Sequence, residues 1–425
     1  MMLFINKIRE ENFNVILLNN FMIIYSISLL LSYRISGTIF YIMLFIFLIN
    51  KNFKNFFLES LNNRVVQAFL LYFLLHFLWV IGSENLENAL YQVRKNIILL
   101  SPILFYPVIR KEYIEKIFFY LIIVLYFSAI YSILLYFNIL SINNTISREA
   151  IPFLYKSDYG FFLLLGIGYS FLKLTQNTNL LFQKVFLLSF ILTCSVDIFL
   201  IGSRTFMFLY IFAIFLLAII VYKKQIIKIL LFTLFAISLF AIMYTQNSKI
   251  KYQIDDIIKG LESSFYEKDY QNSSGVRFGL IEYSIPVIKD NIWFGVGTGD
   301  HVSEVVKRIK SSYDYEFEKN DKYKYLLQVL DVGYSSFLHN TYIQTLVQFG
   351  LIGFIIWVNI FYQIIKSKKS EKIYDDLSIF LVVIYLSMCF SGAELMHQNL
   401  GKMLLFIFSL LIYNKKFEIL NINRI

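Results

Sequence analysis

Two arginines and a histidine lie at the ends of apolar stretches, where charged side chains are rare and often functional. Arg204 lies between two apolar runs, Arg277 begins another, and His339 stands with Asn340 at the mouth of a further one. An arginine at a helix end that basic residues usually avoid is often paired with an anion. An imidazole can accept a proton near neutral pH. The alternatives are an interfacial arginine for Arg277 and an aromatic anchor or helix cap for His339.

A glycine-rich segment separates Arg277 from His339. In it, Gly295, Gly297 and Gly299 form a G-x-G-x-G pattern. A dinucleotide-binding fold would need a preceding strand within a βαβ unit, which the apolar surroundings do not suit. The pattern therefore predicts a backbone turn that packs closely on a helix or on a substrate.

Acidic residues give weaker candidates. Glu84 and Glu87 fall in a polar loop, and Glu394 lies before the last apolar run. The adjacent pairs Asp255-Asp256 and Asp375-Asp376 would point in different directions on a helix. None of this spacing demands a divalent metal, so we expect neither a metal ion nor another cofactor.

Two further histidines and the two cysteines have structural interpretations. His76 lies inside an apolar run and is expected to pack in a helix bundle. His301 follows the glycines and is expected to be exposed. Cys194 and Cys389 lie in apolar runs and are expected to be small core residues without a disulfide.

The elements that must position these residues are strongly apolar. Of the 425 residues 58% are hydrophobic and 16% are charged, and the mean hydropathy is +0.63. Soluble proteins carry about a quarter charged residues, so this apolar surplus indicates lipid as its surroundings. We predict an all-α, polytopic membrane bundle of about twelve transmembrane helices. The predicted spans are 14–32, 35–50, 65–81, 96–109, 114–137, 153–172, 180–201, 205–222, 226–245, 340–365, 376–392 and 399–413. The span 96–109 is short and contains Pro102 and Pro107, which predicts a kinked or half-buried segment.

Charge predicts the orientation. With a cytoplasmic N-terminus, roughly twenty Lys and Arg residues fall in cytoplasmic segments and roughly seven in the opposite short loops, as the positive-inside rule requires. This placement explains the net charge of +10 without nucleic-acid binding. The first apolar run, 15–32, is too long for a usual signal segment and is interpreted as an uncleaved helix.

The chain divides into three parts on this interpretation. Residues 1–245 hold the first nine predicted spans, residues 246–338 form a polar loop outside the cytoplasm, and residues 339–425 hold the last three spans. A loop of this length in a compact bundle is usually functional or disordered. The loop is predicted to contain short amphipathic helices over 254–261 and 302–309, an apolar helix over 278–288 and a solvated excursion over 313–324.

The order of these motifs resembles the O-antigen ligase and O-antigen polymerase family of bacterial envelope proteins. The motifs in chain order are Gly202-Ser203-Arg204-Thr205, Gly275-x-Arg277, the glycines of 295–299, and His339-Asn340. The most specific element is His339-Asn340 followed by nine residues and Gly350-Leu351-Ile352-Gly353. The paired threonines that follow in some ligases are replaced by Phe354-Ile355.

The resemblance implies a metal-independent, inverting glycosyltransferase of the bacterial inner membrane. Its donor would be a glycan on undecaprenyl pyrophosphate, and its acceptor the lipid A–core sugar of lipopolysaccharide. A diphosphate leaving group needs its developing charge neutralised rather than a general acid. Arg204 and Arg277 would supply that charge, and His339 would deprotonate the acceptor hydroxyl. Asn340 would orient the acceptor or cap the helix.

Two other functions stay open on the sequence alone. A repeat-unit polymerase would use the same donor and chemistry with a glycan as acceptor, and the spacing after His339 favours the ligase. A transporter or flippase for a lipid-linked sugar would predict internal repeats, helices broken at the midplane and intramembrane charges. The sequence contains no convincing repeat.

Overall fold

The computed structural model describes most of the chain and is built from helices. It describes residues 11–140, 153–176, 180–311, 321–331, 337–392 and 398–413. No strand occurs in these ranges, which confirms the all-α prediction for them. In chain order the helices are α1 (Glu11–Leu31), α2 (Tyr33–Leu48), α3 (Phe53–Leu61), α4 (Arg64–Leu78), α5 (Leu86–Asn96), α6 (Ser101–Phe105), α7 (Lys111–Tyr136), α8 (Lys156–Leu174), α9 (Leu181–Leu200), α10 (Arg204–Tyr222), α11 (Ile226–Gln246), α12 (Ser248–Glu267), α13 (Ser273–Asp290), α14 (His301–Ser311), α15 (Asp321–Leu330), α16 (Thr341–Lys366), α17 (Lys372–Cys389) and α18 (Gln398–Leu411).

Six helices in the described ranges are long and apolar enough to cross a membrane. They are Phe13–Leu31, Lys111–Tyr136, Leu181–Leu200, Arg204–Tyr222, Ile226–Gln246 and Thr341–Lys366. Helices α2 and α3, bent by 110° at their junction, would make a seventh span if they cross together. Helix α4 and residues Asn399–Leu411 are apolar but shorter. The protein is therefore a multi-pass membrane protein, and the finer count of about twelve spans stays a prediction.

Helices α8 and α11 show the inside and the outside of the bundle. Every residue of α8 from Asp158 to Leu172 is buried. In α11, Ala236 is buried, whereas most of the large apolar side chains are exposed. A helix that is apolar on all sides must lie either in a protein core or in lipid. Helix α8 therefore lies in the protein core, whereas α11 has the exposed apolar surface expected of a helix in lipid.

The segment predicted as a span over 96–109 is not one helix. A 3-10 helix, Ile97–Leu100, leads directly into α6, which has Pro102 in its first turn. Proline is tolerated there, whereas Pro107 lacks the amide that a continuing helix would need. The segment therefore packs as short buried turns, with Leu104 and Phe105 in the main core.

The polar loop between α11 and α16 is helical in its described part. The predicted stretches 254–261 and 302–309 lie within α12 and α14, and the stretch 278–288 lies within α13. Helix α12 is much longer than predicted because its amphipathic pattern continues in both directions. Of the predicted excursion 313–324, residues 313–320 lie outside the described residues. Residues 321–324 form the start of α15, and their solvation stays a prediction.

The loop helices enclose an apolar cluster that is separate from the main core. Helices α13, α14 and α15 contribute to it, together with the chain on both sides of the start of α16. Its buried members are Tyr270, Val276, Leu280, Val287, Val305, Ile309, Leu326, Leu330, Leu338 and Val347. Val276 and Leu338 directly precede Arg277 and His339 in the chain. This loop cluster therefore anchors the segments that carry two of the candidate residues.

Candidate active site

Arg204 is the first residue of α10 and follows a sharp turn at Gly202, whose φ is +68°. Its Nη2 donates to Oδ2 of Asp256, on α12, at 2.7 Å. Gln253, about one turn earlier on α12, donates from Nε2 to the carbonyl of Gly202 at 3.3 Å. Helix α12 therefore lies across the corner between α9 and α10 and supplies a carboxylate to its arginine.

Arg277 lies in the second turn of α13, whose start is fixed by a side-chain cap. Oδ1 of Asn272 accepts from the amides of Ser274 at 3.1 Å and Gly275 at 2.8 Å. Nη1 of Arg277 donates to the carbonyl of Ser273 at 3.2 Å and to its Oγ at 3.1 Å. Nε of Arg277 is buried and has no hydrogen-bond partner among the described residues. The guanidinium is thus only partly satisfied.

The two guanidinium groups lie close enough for one charge to act on the other. Burial is the main cause that lowers the pKa of Arg277 below its ordinary value, and the charge of Arg204 lowers it further. A cation that is part-buried beside a like charge, with one donor unpaired, is unfavourable on its own. An anion between the two groups would relieve both the repulsion and the missing hydrogen bond. Phosphate oxygens match the planar donors of arginine well.

His339 lies just before α16, in a backbone conformation with φ of +52°. Its ring packs on Phe337 with 4.2 Å between ring centroids. A Cβ on Gly392 would lie only 3.0 Å from the backbone of His339. Asn340 caps α16, because its Oδ1 accepts from the amide of Ile343 at 3.1 Å. The capping role expected as one possibility for Asn340 is therefore present.

Helix α16 is broken in its middle at Gly350. The φ of +61° and ψ of −161° at this glycine are non-helical. A break removes the hydrogen bonds between carbonyls before it and amides after it, and such groups must find other partners within a membrane. Residues 292–297 provide those partners through their own backbone.

We call this arrangement the backbone interlock, formed by residues 292–297 and 347–352. Its hydrogen bonds run from Val296 N to Val347 O at 2.9 Å, Gly297 N to Gln348 O at 3.0 Å, Leu351 N to Ile292 O at 2.8 Å and Ile352 N to Trp293 O at 3.3 Å. Gly295 and Gly350 lie at its centre, and each lies against the backbone of the opposite segment. A Cβ on Gly295 would overlap the carbonyl of Gln348, and one on Gly350 would overlap the carbonyl of Trp293.

Residues 294–299, which we call the glycine turn, also form hydrogen bonds with the connection between α4 and α5. The partners in that connection are the side chain and carbonyl of Trp79 and the side chains of Ser83 and Asn88. The bonds run from Trp79 Nε1 to Phe294 O at 2.6 Å, Thr298 N to Trp79 O at 3.0 Å, Ser83 Oγ to Thr298 O at 2.6 Å, and Asn88 Nδ2 to Gly299 O. The prediction of a turn packed on a helix thus has a clear structural counterpart. A substrate contact at Gly295, Gly297 and Gly299 stays a prediction.

Residues 188–358 match the family model described as O-antigen ligase (Wzy_C). We call this part of the chain the O-antigen ligase segment. The match confirms the resemblance stated from the motifs and covers the same part of the chain. It indicates glycan transfer of the ligase or polymerase type as the activity of this membrane protein. A search of curated proteins finds no match to the chain.

The O-antigen ligase segment runs from α9 into α16 and contains the candidate residues Arg204, Arg277 and His339. Arg204 lies near enough to Arg277 for its charge to lower the pKa of Arg277. His339 lies on a different element, and it is related to Arg277 by the packing of α13 on α16 and by the loop cluster. The catalytic assignment of these residues stays a prediction that the geometry of the arginine pair supports.

Sequence reasoning missed a buried acid within the O-antigen ligase segment. Asp197 is fully buried on α9, where its carboxylate accepts from Tyr159 Oη at 2.7 Å and from Ser132 Oγ at 2.5 Å. The three residues tie α9 to α8 and α7. The signal was present, because an acid inside an apolar run is rare and usually has a specific partner.

The structure contradicts the prediction for His301 and confirms the prediction for His76. His301, expected to be exposed, is only 1% exposed. The turn at Gly299, with φ of +97°, precedes α14, whose buried face of His301, Val305 and Ile309 points into the protein. His76 is buried between the rings of Tyr72 and Phe349, as predicted.

The structure describes Glu84 and the nearby Asp300 in structural roles. Glu84 is exposed and forms an ion pair with Lys307. The neighbouring Asp300 is buried, and its carboxylate accepts from the amides of Glu84 at 2.8 Å and Asn85 at 3.1 Å. Glu394 lies outside the described residues. Within the described ranges, no group of three or more His, Cys, Asp or Glu side chains could hold a metal ion.

The cysteines are as predicted. Cys194 and Cys389 are both buried, and no disulfide joins them in the part of the chain that the structure describes. Their neighbours are apolar side chains of the main core. They behave as small core residues.

Proposed function

We propose that the protein is an O-antigen ligase that transfers a glycan from undecaprenyl pyrophosphate to the lipid A–core acceptor of lipopolysaccharide. In this proposal the reaction takes place at the periplasmic face of the bacterial inner membrane, the N-terminus is cytoplasmic and about twelve helices span the bilayer. The observation that carries the proposal is the arginine pair, in which a buried donor of Arg277 lacks a partner among the described residues and is affected by the charge of Arg204.

The arginine pair would hold the diphosphate of the donor. When the bond between the anomeric carbon and the diphosphate oxygen breaks, negative charge grows on that oxygen. Two fixed guanidinium groups stabilise this charge without rearranging, which lowers the barrier. They would serve in place of a metal ion. The exposed apolar surface of helices such as α11 offers room for the polyprenyl chain within the lipid.

His339 would act as the general base. It would take the proton of the acceptor hydroxyl while the hydroxyl oxygen attacks the anomeric carbon from the face opposite the diphosphate. One glycosidic C–O bond forms, one C–O bond to the diphosphate breaks, and the configuration at the carbon inverts. A positioned base contributes roughly a hundredfold to ten-thousandfold to such a step.

A transporter is less well supported, although α16 is a broken helix. Transporters use the freed carbonyls and amides of a broken helix to coordinate their cargo. In this protein the backbone interlock occupies the groups freed around Gly350. The break therefore serves to attach the loop region to the bundle rather than to bind an ion or a sugar.

The proposal is tested with purified protein in liposomes that contain the lipid-linked donor and a lipid A–core acceptor. We expect His339→Ala to reduce transfer at least about a hundredfold while the protein remains folded and monodisperse. Full transfer by this variant would overturn the base assignment. Product that grows only by addition of repeat units to the donor glycan, with no transfer to lipid A–core, would identify a polymerase instead.

A further inference from the structure

Asp256 lies where it can control the orientation of Arg204. It is the hydrogen-bond partner of the Arg204 guanidinium among the described residues, through one nitrogen at 2.7 Å. A guanidinium has five N–H donors in a fixed plane. A single contact therefore sets the direction of that plane and leaves most donors available for a ligand. The side chains of Arg204 and Asp256 remain 28% and 34% exposed, so a ligand can reach them.

Helix α12 holds Asp256 firmly. Ile250 and Ile254, on its inner face, are buried in the main core. Gln253 binds the carbonyl of Gly202, the turn that precedes Arg204. Residues three and four apart on a helix share a face, so Gln253 and Asp256 both face the turn between α9 and α10. The carboxylate is thus fixed relative to the backbone that carries Arg204.

The carboxylate also balances charge where two cations meet. Without Asp256, the repulsion between Arg204 and Arg277 would favour rotamers that move the guanidinium groups apart. Both side chains have several rotatable bonds and could do so at small cost. Asp256 therefore selects the arrangement in which the two arginines stay together.

We propose that Asp256 is a positioning residue that orients Arg204 toward the diphosphate of the lipid-linked donor. This inference rests on the proposed function, because it assigns a partner to one of its two arginines. Asp256 does not touch the reacting atoms. Its effect on the reaction is to keep the guanidinium plane of Arg204 in place before the donor binds.

The chain provides a matched control at the next position. Asp255 carries the same charge on the same helix, but its Oδ1 accepts from Tyr244 Oη at 2.9 Å. Asp255→Asn and Asp256→Asn therefore remove the same charge from almost the same place. They differ in whether the lost carboxylate contacts Arg204.

The test measures KM for the lipid-linked donor and kcat for each folded variant in liposomes. We expect Asp256→Asn to raise KM about 10- to 100-fold, the loss typical of a charge-assisted hydrogen bond, with kcat changed less than about threefold. Asp256→Glu, which keeps the carboxylate, should restore much of the affinity. Asp255→Asn should leave KM unchanged.

Other results would overturn the proposal. An unchanged or lower KM in Asp256→Asn would show that the carboxylate does not orient Arg204, or that it competes with the donor. An equal rise in Asp255→Asn would reduce the effect to general charge. Arg204→Ala distinguishes failure of the positioning role from failure of the proposed function. If Arg204→Ala loses transfer while Asp256→Asn is unaffected, only the positioning role of Asp256 fails. If Arg204→Ala transfers normally, the proposed function fails as well.

Discussion

The backbone interlock and the arginine pair treat their polar groups in opposite ways. In the interlock, the amides and carbonyls freed by the break at Gly350 are matched by residues 292–297, and the two glycines let the chains touch. At the arginine pair, a buried donor of Arg277 has no hydrogen-bond partner in the part of the chain that the structure describes, and a second cation acts on it. Both regions belong to the same family segment.

This contrast in hydrogen bonding assigns the two regions different roles: the interlock stabilises the fold, and the arginine pair has the properties expected of a ligand-binding site. A satisfied buried polar network contributes to folding, whereas an unsatisfied one lowers stability and persists where a ligand completes it. The glycines are the more conspicuous pattern in the sequence, yet they form the structural region. The arginines were candidates from the sequence one at a time, and the structure adds that the charge of Arg204 acts on Arg277. Substitutions in the two regions should therefore affect different measurements.

The largest effect is expected for Gly350→Ala. The residue would need a positive φ, and its Cβ would overlap the carbonyl of Trp293. Backbone strain and overpacking together should lower the free energy of unfolding by roughly 2 to 6 kcal/mol. Thermal unfolding in detergent measures this. Gly82→Ala is the control, because Gly82 also has a positive φ, +90°, but open space around it. Equal losses in both variants would contradict the close contact.

Arg277→Gln should have the opposite effect to Gly350→Ala, because it should reduce activity and leave stability intact. We expect transfer per folded molecule to fall about 100- to 1000-fold, as when one preorganised donor is removed from a charge-stabilising site. The unfolding temperature should be retained or raised because the repulsion with Arg204 disappears. The control is Lys289→Gln, which removes an exposed charge from the same helix. A variant that is unstable but active would contradict our distinction between the two regions.

Pyrophosphate should stabilise the protein through the arginine pair. An anion that binds only the folded state at ten times its dissociation constant adds about 1.4 kcal/mol to the free energy of unfolding. Thermal unfolding with and without inorganic pyrophosphate measures the shift. The shift should vanish in Arg277→Gln and persist in Lys289→Gln. A shift of the same size in both variants would indicate an anion bound elsewhere.

The smallest effect is expected for Thr298→Val in the glycine turn. The buried hydroxyl of Thr298 donates to the carbonyl of His76 at 2.8 Å. Its loss in a residue of the same shape should lower the free energy of unfolding by about 1 kcal/mol. Transfer by the folded fraction should not change. Thr298→Ser, which keeps the hydroxyl, should retain the bond, and reduced transfer by folded Thr298→Val would give the turn a role beyond structure.

Local patterns in the sequence predicted the local structure well. Apolar runs and amphipathic stretches gave the helical class, the cap at Asn340 and the helices within the loop. These features depend on neighbours a few residues apart, which a single sequence displays. The break in α16 follows the same logic in part, since Gly350 belongs to the family motif, although a glycine alone does not reveal a helix break.

Contacts between distant segments could not be predicted in this way. His301 was expected to be exposed because it follows the glycine turn, but its helix packs on the loop cluster. Asp197 escaped notice because its partners, Ser132 and Tyr159, come from two other helices. The pairing of Arg204 with Asp256 also spans 52 positions. Single-sequence periodicity contains no information about such partners.

The interlock has a consequence for how freely this sequence can vary. Main-chain atoms make its four bonds, so the side chains of Trp293, Phe294 and Val296 are not needed for the pairing itself. Homologous proteins could replace them and keep the same junction between loop and bundle. Gly295 and Gly350 have no such freedom, because any added carbon would fill the space in which the two chains meet. The junction is therefore specified by two missing side chains rather than by any that are present.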